Sequence, residues 1–312
     1  MKSTNEIKIV YMGTPYFAQV VLESLIDAKY DIIAVVTQPD KPVGRKMLLE
    51  KSPVKATAEE HQIPVLQPLK IKEDYQAILA LKPDIIITCA YGQIIPGIIL
   101  NTFLCINIHA SLLPKLRGGA PMHRAIMNGL DKTGITIMRM AKKMDDGDMI
   151  VQAEVAITTE DTVGSLQTKL IASACELIKT YIPLIVADKV TYIPQDERIV
   201  TFGYNITKEE EFISFKDSYM TVYNHIRALI PWPIGYGIVE GVKIKLHKVH
   251  LSDELTDFDR GHIIGLKDKA LAVAVENRVL LIDELQIEGR NKINAKDFVN
   301  GSGKKLINKS FM

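Results

Sequence analysis

Two polar side chains end one of the apolar runs in this chain. Asn107 and His109 follow the run from Phe103 to Ile106 and alternate with Ile108. Because successive residues of a strand point to opposite faces, the two polar side chains are predicted to share one face at a strand end. A lone histidine in such a position is more often a hydrogen-bonded structural residue, so the pair alone leaves structure and catalysis both open.

A carboxylate cluster lies beyond the next strand-like run. Residues 134 to 140 are mostly apolar, and they lead through Met144 into Asp145, Asp146 and Gly147. Parallel α/β sheets place their ligands beyond the carboxyl ends of the strands, where these groups would meet. An amide, an imidazole and a carboxylate can act as an oxyanion donor, a proton carrier and an orienting group. The combination indicates an acyl-transfer site.

The residues around this site resemble those of the formyltransferase family that uses 10-formyltetrahydrofolate. The resemblance is carried by Asn107, His109, Ser111-Leu112-Leu113-Pro114, Arg117-Gly118, Ala120-Pro121, Gly134-Ile135-Thr136 and Asp145-Asp146-Gly147-Asp148-Met149. It extends over nearly the whole chain, and the branch that acts on methionyl initiator tRNA is the most similar. The resemblance implies formyl transfer from 10-formyltetrahydrofolate to the α-amine of that tRNA, for translation initiation, by a monomer.

The resemblance also implies roles for individual residues. Asn107 and His109 would stabilise the oxyanion, and Asp145 would orient His109 and assist proton transfer. One position departs from the commonest family pattern, because Asp146 stands where a threonine is frequent. We expect Asp145, and not its neighbour, to be the catalytic carboxylate.

Two further segments are implied to bind the substrates. For the folate, the implied residues are Ser111, Leu112, Leu113 and Pro114, together with Ala90, Tyr91, Gly92 and Gln93, whose backbone would line the pocket. For the tRNA, the basic residues are Lys41, Arg45 and Lys46, which lie in a loop punctuated by proline and glycine. A solvated surface loop is the alternative for the second segment.

Other functions remain open at this stage. The nearest alternative is a formyltransferase acting on the amine of a sugar nucleotide, since such enzymes share the asparagine, histidine and aspartate. A non-catalytic RNA-binding protein on an old enzyme fold is disfavoured because all three candidate catalytic residues are present. A formyltransferase for glycinamide ribonucleotide would usually end near residue 210, and this chain continues to residue 312.

Composition narrows the class of protein. The chain of 312 residues has 38 basic and 37 acidic side chains, a balance that disfavours a histone-like polyanion binder. The N-terminal segment has no cationic leader with a long apolar core, and no apolar run approaches the length of a membrane span, so we expect a cytoplasmic protein. Its 3 cysteines form no C-x-x-C pair, which indicates buried apolar side chains and no metal site.

The first half of the chain alternates strand and helix patterns. The predicted strands are 7–11, 32–36, 64–66, 84–89, 104–108 and 134–140, and the predicted helices include 16–27, 53–61 and 73–82. This alternation predicts an α/β fold with a Rossmann-like, doubly wound, mainly parallel sheet. The first turn, at Gly13, lacks the G-x-G-x-x-G spacing, which disfavours nicotinamide binding.

The last third of the chain has a different pattern. After a long helix from about residue 163 to 187, which Pro183 should kink or end, we predict a helix at 216–229 and short strands at 238–240, 242–251, 262–266, 270–275 and 279–287. Short strands with tight turns predict a small OB-like β-barrel. The predicted division is a catalytic domain at 1–189, a linker at 190–208 and an OB-like tRNA-binding domain at 209–312.

Overall fold

The computed structural model describes residues 2–43 and 47–312. By their contacts the residues form two compact units. Unit 1 contains Met1–Pro121, Thr133–Val155 and Gln167–Gly203, and unit 2 contains Met122–Lys132, Ala156–Leu166 and Tyr204–Met312. The two units are therefore interleaved along the chain, and the three-part division at residues 189 and 208 stays a prediction.

Unit 1 is organised around a mainly parallel sheet, as the strand and helix alternation predicts. The strands of the first half of the chain are β1 Lys8–Gly13, β2 Asp31–Val36, β3 Lys41–Val43, β4 Leu48–Glu50, β5 Val65–Leu66, β6 Ile85–Cys89, β7 Cys105–His109, β8 Lys132–Arg139 and β9 Met149–Ala156. The sheet order is β5-β2-β1-β6-β7-β8-β9, while β3 and β4 form a separate hairpin. The first five strands in this order, β5, β2, β1, β6 and β7, are parallel to one another. Strand β8 is antiparallel to β7.

The helices of this part include those predicted at 16–27 and 53–61, while the one predicted at 73–82 is shorter. They are α1 Tyr16–Asp27, α2 Pro53–Glu60, α3 Gln76–Leu81, α4 Gly97–Thr102, α5 Pro121–Met127 and α6 Val163–Val186. The Ser52 side chain caps α2 by accepting a hydrogen bond from the backbone N–H of Lys55, and Pro53 occupies the first helical position. Pro183 does not end α6 where it stands, because the helix continues to Val186.

The central strands of unit 1 are apolar on both faces. Every residue of β6 is buried, and so are the five residues of β1 that follow Lys8. This is the composition expected of a parallel strand covered by helices on both sides. Cys89 and Cys105 are buried within it, and burial raises the pKa of each thiol to about 12. Their prediction as buried apolar residues is confirmed, whereas Cys175, for which the same was predicted, is only partly buried.

Unit 2 contains an antiparallel sheet with two helices. Its elements are α7 Tyr219–Ala228, β10 Tyr236–Val239, β11 Val242–Leu255, β12 Ile263–Lys267, β13 Ala270–Val275, β14 Arg278–Ile287, β15 Ile293–Asn294 and α8 Ala295–Asn300. The strand order is β10-β11-β14-β13-β12, and β15 pairs with β14. The inward side chains form a continuous apolar core that includes Phe215, Leu246 and Phe298.

The C-terminal residues connect the two edges of this antiparallel sheet. Ser310 forms a bridge with His262, directly before β12, and Phe311 forms a bridge with Val239 at the end of β10. The Phe311 ring is buried and stacks on Phe215 with ring centroids 4.4 Å apart. The tail thus makes the six-stranded sheet barrel-like, in agreement with the predicted small OB-like barrel.

None of the helices within residues 2–43 and 47–312 is both long enough and apolar enough to cross a lipid bilayer.

Candidate active site

Asn107 lies near the carboxyl end of β7, and hydrogen bonds hold both the oxygen and the nitrogen of its side-chain amide. Its Oδ1 accepts a hydrogen bond from the Thr88 hydroxyl on the neighbouring strand at 2.8 Å. Its Nδ2 donates to Oδ1 of Asp145 at 3.2 Å. The Asp145 carboxylate sets the direction of the amide, because it can only accept, and the Thr88 hydroxyl then holds the amide oxygen. The amide nitrogen, with two N–H groups, therefore points toward the carboxylate.

His109 is the last residue of β7 and its side chain is buried. Its Nε2 lies 3.0 Å from the backbone carbonyl oxygen of Leu116. Its Nδ1 lies 3.6 Å from Oδ2 of Asp145, just beyond hydrogen-bond distance. A carbonyl oxygen can only accept, so Nε2 carries a proton in this arrangement and Nδ1 faces the carboxylate. The imidazole is fixed in the ring orientation that a proton carrier requires.

Asp145 completes the group from the turn that follows β8. The residue has a left-handed backbone, with φ of 53°, and its carboxylate contacts Asn107 of β7. Its Oδ2 accepts a hydrogen bond from the backbone N–H of Gly118 at 2.9 Å. The carboxylate thus lies between the amide of Asn107 and the imidazole of His109, with its side chain 13% exposed. The structure brings together the three residues that the sequence singled out.

Asp146 has a separate environment from its neighbour. Its Oδ1 accepts a hydrogen bond from the guanidinium of Arg117 at 2.9 Å, and Lys143 lies 3.9 Å from its Oδ2. The carboxylate is therefore paired with cations and is turned away from the amide and the imidazole. Of the two adjacent carboxylates, the one that contacts Asn107 is that of Asp145.

The segment Ser111–Pro114 forms a buried turn whose polar groups are bound within the protein. The Ser111 hydroxyl donates to the Lys115 carbonyl oxygen at 2.6 Å, and the Leu113 N–H donates to the Thr136 hydroxyl at 3.1 Å. Gln152 donates to the Leu113 carbonyl oxygen at 2.8 Å. This segment holds the chain between His109 and Arg117 in a fixed path, and its role in folate binding stays a prediction.

The segment Ala90–Gln93 follows β6, next to the strand that carries Asn107. Ala90 and Gly92 are exposed, while the Tyr91 carbonyl oxygen accepts hydrogen bonds from Thr14 at 2.9 Å and Gln38 at 3.2 Å. The Tyr91 ring is buried and burial raises the pKa of its hydroxyl to about 12. Ala90 and Gly92 therefore leave part of this segment exposed, and its role in folate binding stays a prediction.

Gln93 is bound to the chain upstream of α3. Its Oε1 accepts from the Ile71 N–H at 2.9 Å, and its Nε2 donates to the Pro68 carbonyl oxygen at 3.2 Å. Its side chain therefore supports the loop beside the site and is not directed at a ligand by any contact in the structure.

Of the three basic residues predicted to contact tRNA, the structure describes Lys41. Lys41 is exposed at the start of β3, opposite Glu50 of β4. Arg45 and Lys46 lie outside the described residues.

The sequence reasoning gave no role to two residues beside the site. Arg117 belongs to the recognised motif, and its buried guanidinium contacts the turn that carries Asp145. Gln195 lies in the predicted linker, and its amide donates to the backbone carbonyl oxygens of Asp145 and Gly147, each at 2.8 Å. Its irregular surroundings have no periodic pattern that could have indicated this contact.

Among the residues that the structure describes, no group of three or more His, Cys, Asp or Glu side chains is placed to hold a metal ion.

Comparison with family models finds two matches that together span most of the chain. Residues 7–182 match the formyl transferase model, and residues 205–303 match the model of the formyl transferase C-terminal domain. The first matched region includes Asn107, His109 and Asp145.

Curated proteins similar to this chain include the methionyl-tRNA formyltransferase of Bacillus cytotoxicus. It is 47% identical over 301 residues, which are 95% of this chain and 96% of the relative. The methionyl-tRNA formyltransferase of Bacillus mycoides is also 47% identical, over 304 residues, with the same two coverages.

Solved structures with a similar fold are more distant in sequence. HypX from Aquifex aeolicus in complex with tetrahydrofolic acid superposes with a TM-score of 0.69 at 17% identity, covering 96% of this chain and 48% of HypX. The N-formyltransferase of Helicobacter canadensis, in complex with folinic acid and dTDP-3-aminofucose, has a TM-score of 0.66 at 20% identity, covering 88% of this chain and 98% of that one. These likenesses establish the fold.

Proposed function

The chain belongs to the formyl transferase family, and on that premise we propose that it transfers the formyl group of 10-formyltetrahydrofolate to the α-amine of methionyl initiator tRNA. The product is formylmethionyl-tRNA, the substrate of translation initiation. Two relatives that carry this activity in their names are 47% identical over 95% of the chain. This near full-length similarity includes both matched regions and favours tRNA over a smaller acceptor.

The observation that carries the proposed chemistry is the position of the Asp145 carboxylate. It accepts from the Asn107 amide at 3.2 Å and lies 3.6 Å from the His109 ring. Formyl transfer to an amine needs a donor for the developing oxyanion and an acceptor for the proton that the amine loses. Amide, imidazole and carboxylate supply these groups within one cluster of neighbouring side chains.

In the proposed mechanism the amine nitrogen attacks the formyl carbon, and the carbonyl oxygen becomes negative. One N–H of Asn107 holds Asp145, and the second donates to that oxygen. The Nε2–H of His109 assists by exchanging the Leu116 carbonyl oxygen for the oxyanion. Asp145 takes up the proton that the amine nitrogen loses, through a water molecule. The bond between the formyl carbon and the folate nitrogen then breaks, and the leaving nitrogen receives that proton from Asp145 through the same water molecule.

The folate co-substrate is proposed to bind beside Asn107, against the exposed backbone of Ala90–Gln93. The Thr88 to Asn107 pairing of β6 and β7 places the start of this segment within two residues of the catalytic strand end. The turn at Ser111–Pro114 is proposed to line the same pocket. The proposed mechanism includes no metal ion.

For the tRNA, we propose contacts from Lys41, Arg45 and Lys46. Cations suit contacts to phosphate oxygens, and Lys41 is exposed. The domain limits 1–189, 190–208 and 209–312, a tRNA-binding role of the last of these, the monomeric state and a cytoplasmic location are part of the same proposal.

The competing function is formyl transfer to the amine of a sugar nucleotide. The Helicobacter canadensis N-formyltransferase is in complex with such an amino sugar, but its 20% identity to this chain supports the fold alone. Recognition of a small sugar would also leave the complete C-terminal family domain at residues 205–303 without a stated partner.

A direct acceptor comparison tests the proposal. The purified protein is supplied with 10-formyltetrahydrofolate and either initiator methionyl-tRNA or a dTDP-linked amino sugar, and the rate of formyl transfer is measured for each. We expect transfer to the tRNA and none to the sugar. Transfer to the sugar alone would overturn the proposed substrate and retain the chemistry, and uncharged initiator tRNA is the negative control.

A further inference from the structure

The buried guanidinium of Arg117 gathers three polar side chains beside the Asp145 turn. Its Nε donates to Oε1 of Gln195 at 3.0 Å. One terminal nitrogen donates to Asp146 at 2.9 Å, and the other donates to Glu197 at 2.7 Å. The Arg117 side chain is only 5% exposed, so its guanidinium makes these hydrogen bonds away from solvent. We call Arg117, Asp146 and Gln195 the Arg117 cluster.

Gln195 transmits this arrangement to the backbone of the turn. Its Oε1 is fixed by the guanidinium, so its Nε2 must point the other way. That nitrogen donates to the carbonyl oxygens of Asp145 and Gly147, each at 2.8 Å. The two carbonyls flank Asp146, whose side chain is itself held by Arg117. The turn is thereby tied to the guanidinium at three consecutive residues.

The main chain of Arg117 is fixed independently of its side chain. Its N–H donates to the Thr201 carbonyl oxygen at 2.9 Å, and its carbonyl oxygen accepts from the Gly203 N–H at 2.7 Å. The next residue, Gly118, supplies the N–H that binds Oδ2 of Asp145. One residue therefore sets both the backbone of the turn and a hydrogen-bond donor to the carboxylate.

Asp145 needs such support because its backbone is unfavourable. A non-glycine residue at φ of 53° persists where its surroundings over-determine it. A loosely held turn would let the Asp145 side chain move away from Asn107 and His109, and catalytic groups are sensitive to displacements on the order of 1 Å.

We propose that Arg117, Asp146 and Gln195 are positioning residues, which hold Asp145 at its distance from Asn107 and His109. This inference depends on the proposed function, because it assigns the cluster to the same reaction. It also gives Asp146 a role, as the carboxylate that ties the turn to Arg117.

The first test replaces Gln195 by Met, which has a similar volume and no N–H to donate. We expect kcat to fall about tenfold to thirtyfold while the KM values for 10-formyltetrahydrofolate and tRNA stay within about twofold, because the loss is confined to a group that acts in the transition state. The pH profile of kcat should also shift, since the distance between Asp145 and His109 changes. A merely structural role would lower the melting temperature without moving that profile.

The second test compares two replacements of Asp146. Asp146→Ala leaves one Arg117 donor without its partner, and kcat should fall about tenfold or more. Asp146→Asn retains an oxygen that accepts from Arg117, and it should recover most of the activity, to within about threefold of the original. Asp196→Asn is the matched control, because its carboxylate pairs with the exposed Arg198 and not with the turn.

The outcomes separate this inference from the proposed function. If the unmodified protein formylates methionyl-tRNA but Gln195→Met retains a kcat within about twofold of the Asp196→Asn control, the positioning role is overturned. An equal loss in Asp146→Ala and Asp146→Asn would also overturn it. If the unmodified protein transfers no formyl group to the tRNA, the proposed function fails first. Folding of each variant is verified by its melting temperature. If Gln195→Met does not fold, the comparison of Asp146→Ala with Asp146→Asn decides the question.

Discussion

Replacing Asp145 by Asn removes the proposed proton acceptor and leaves the shape of the side chain. In the structure Oδ1 accepts from Asn107 Nδ2 at 3.2 Å, and Oδ2 accepts from the Gly118 N–H at 2.9 Å. An asparagine places an NH2 group at one of these two positions, so a donor there faces a donor. We expect the lost hydrogen bond to lower the free energy of unfolding by about 1 to 3 kcal/mol.

The effect of Asp145→Asn on the reaction should be larger than its effect on stability. Removing a general base typically slows a reaction about a hundredfold to ten-thousandfold, and we expect kcat to fall within that range. The KM values should change less than about threefold, because the carboxylate acts on the proton of the attacking amine and not on substrate binding. Single-turnover formylation of methionyl-tRNA, followed in a quench-flow instrument, measures this step directly.

The neighbouring carboxylate provides the control for this prediction. Asp146→Asn makes the same change of charge one residue away, and its amide oxygen can still accept from Arg117 at the 2.9 Å contact. Its kcat should therefore fall far less than that of Asp145→Asn. A larger loss in Asp146→Asn would refute the assignment of Asp145 as the catalytic carboxylate.

Three further substitutions test the surroundings of the site and the stability of unit 2. Thr88→Val removes the hydroxyl that orients the Asn107 amide, and we expect kcat to fall about tenfold with the fold retained, by the same single-turnover assay. Gly147→Ala should lower the free energy of unfolding by about 1 to 3 kcal/mol in a urea titration, since its Cβ would overlap the last backbone carbonyl oxygen of β8. Glu210→Gln should remove a pH-dependent contribution to the free energy of unfolding, because the Arg124 guanidinium lowers the pKa of Glu210 from 4.5 to about 2.

The sign of the Glu210 effect follows from its lowered pKa. The unfolded chain binds more protons between pH 4.5 and about 2, so the contribution is present above pH 4.5 and is lost as the pH falls through this window. The shift alone would correspond to about 3 kcal/mol, which we reduce to about 1.5 kcal/mol because the side chain is 34% exposed. Urea titrations at pH 6 and pH 3 measure the difference between the two proteins.

Each of these three predictions has a contradicting result. Unchanged turnover in Thr88→Val would mean that the Asn107 amide is oriented without the hydroxyl. Gly147→Ala with unchanged stability would mean that the turn relaxes without cost. A Glu210→Gln deficit that is as large at pH 3 as at pH 6 would exclude the ion pair as its source.

Much of the fold could be predicted because local pattern and tertiary structure agree. The helices at 16–27 and 53–61 were both predicted from the sequence pattern, and both are confirmed to within one residue. Helix α3 begins at Gln76 and not at residue 73, because turns occupy the residues before it. The bridges of Ser310 and Phe311 had no local signal, since they depend on strands about 50 and 70 residues away.

The candidate site was likewise predicted where a local sequence pattern exists and missed where none does. Alternation in β7 predicted that Asn107 and His109 would share a strand end, and the structure places both against Asp145. Gln195 was not predicted, because a contact from an irregular segment to a turn 50 residues earlier has no periodicity and no fixed spacing. Its role can be inferred only from the hydrogen bonds of the folded chain.

The most direct test of the account is formyl transfer to initiator methionyl-tRNA by the unmodified protein and by Asn107→Ala and His109→Ala, measured under single-turnover conditions. Loss of one oxyanion donor typically costs about a hundredfold to a thousandfold, so we predict rapid transfer by the unmodified protein and a loss of that order in each variant. Near-normal transfer in either folded variant would contradict the proposed site, and no transfer by the unmodified protein would contradict the proposed function.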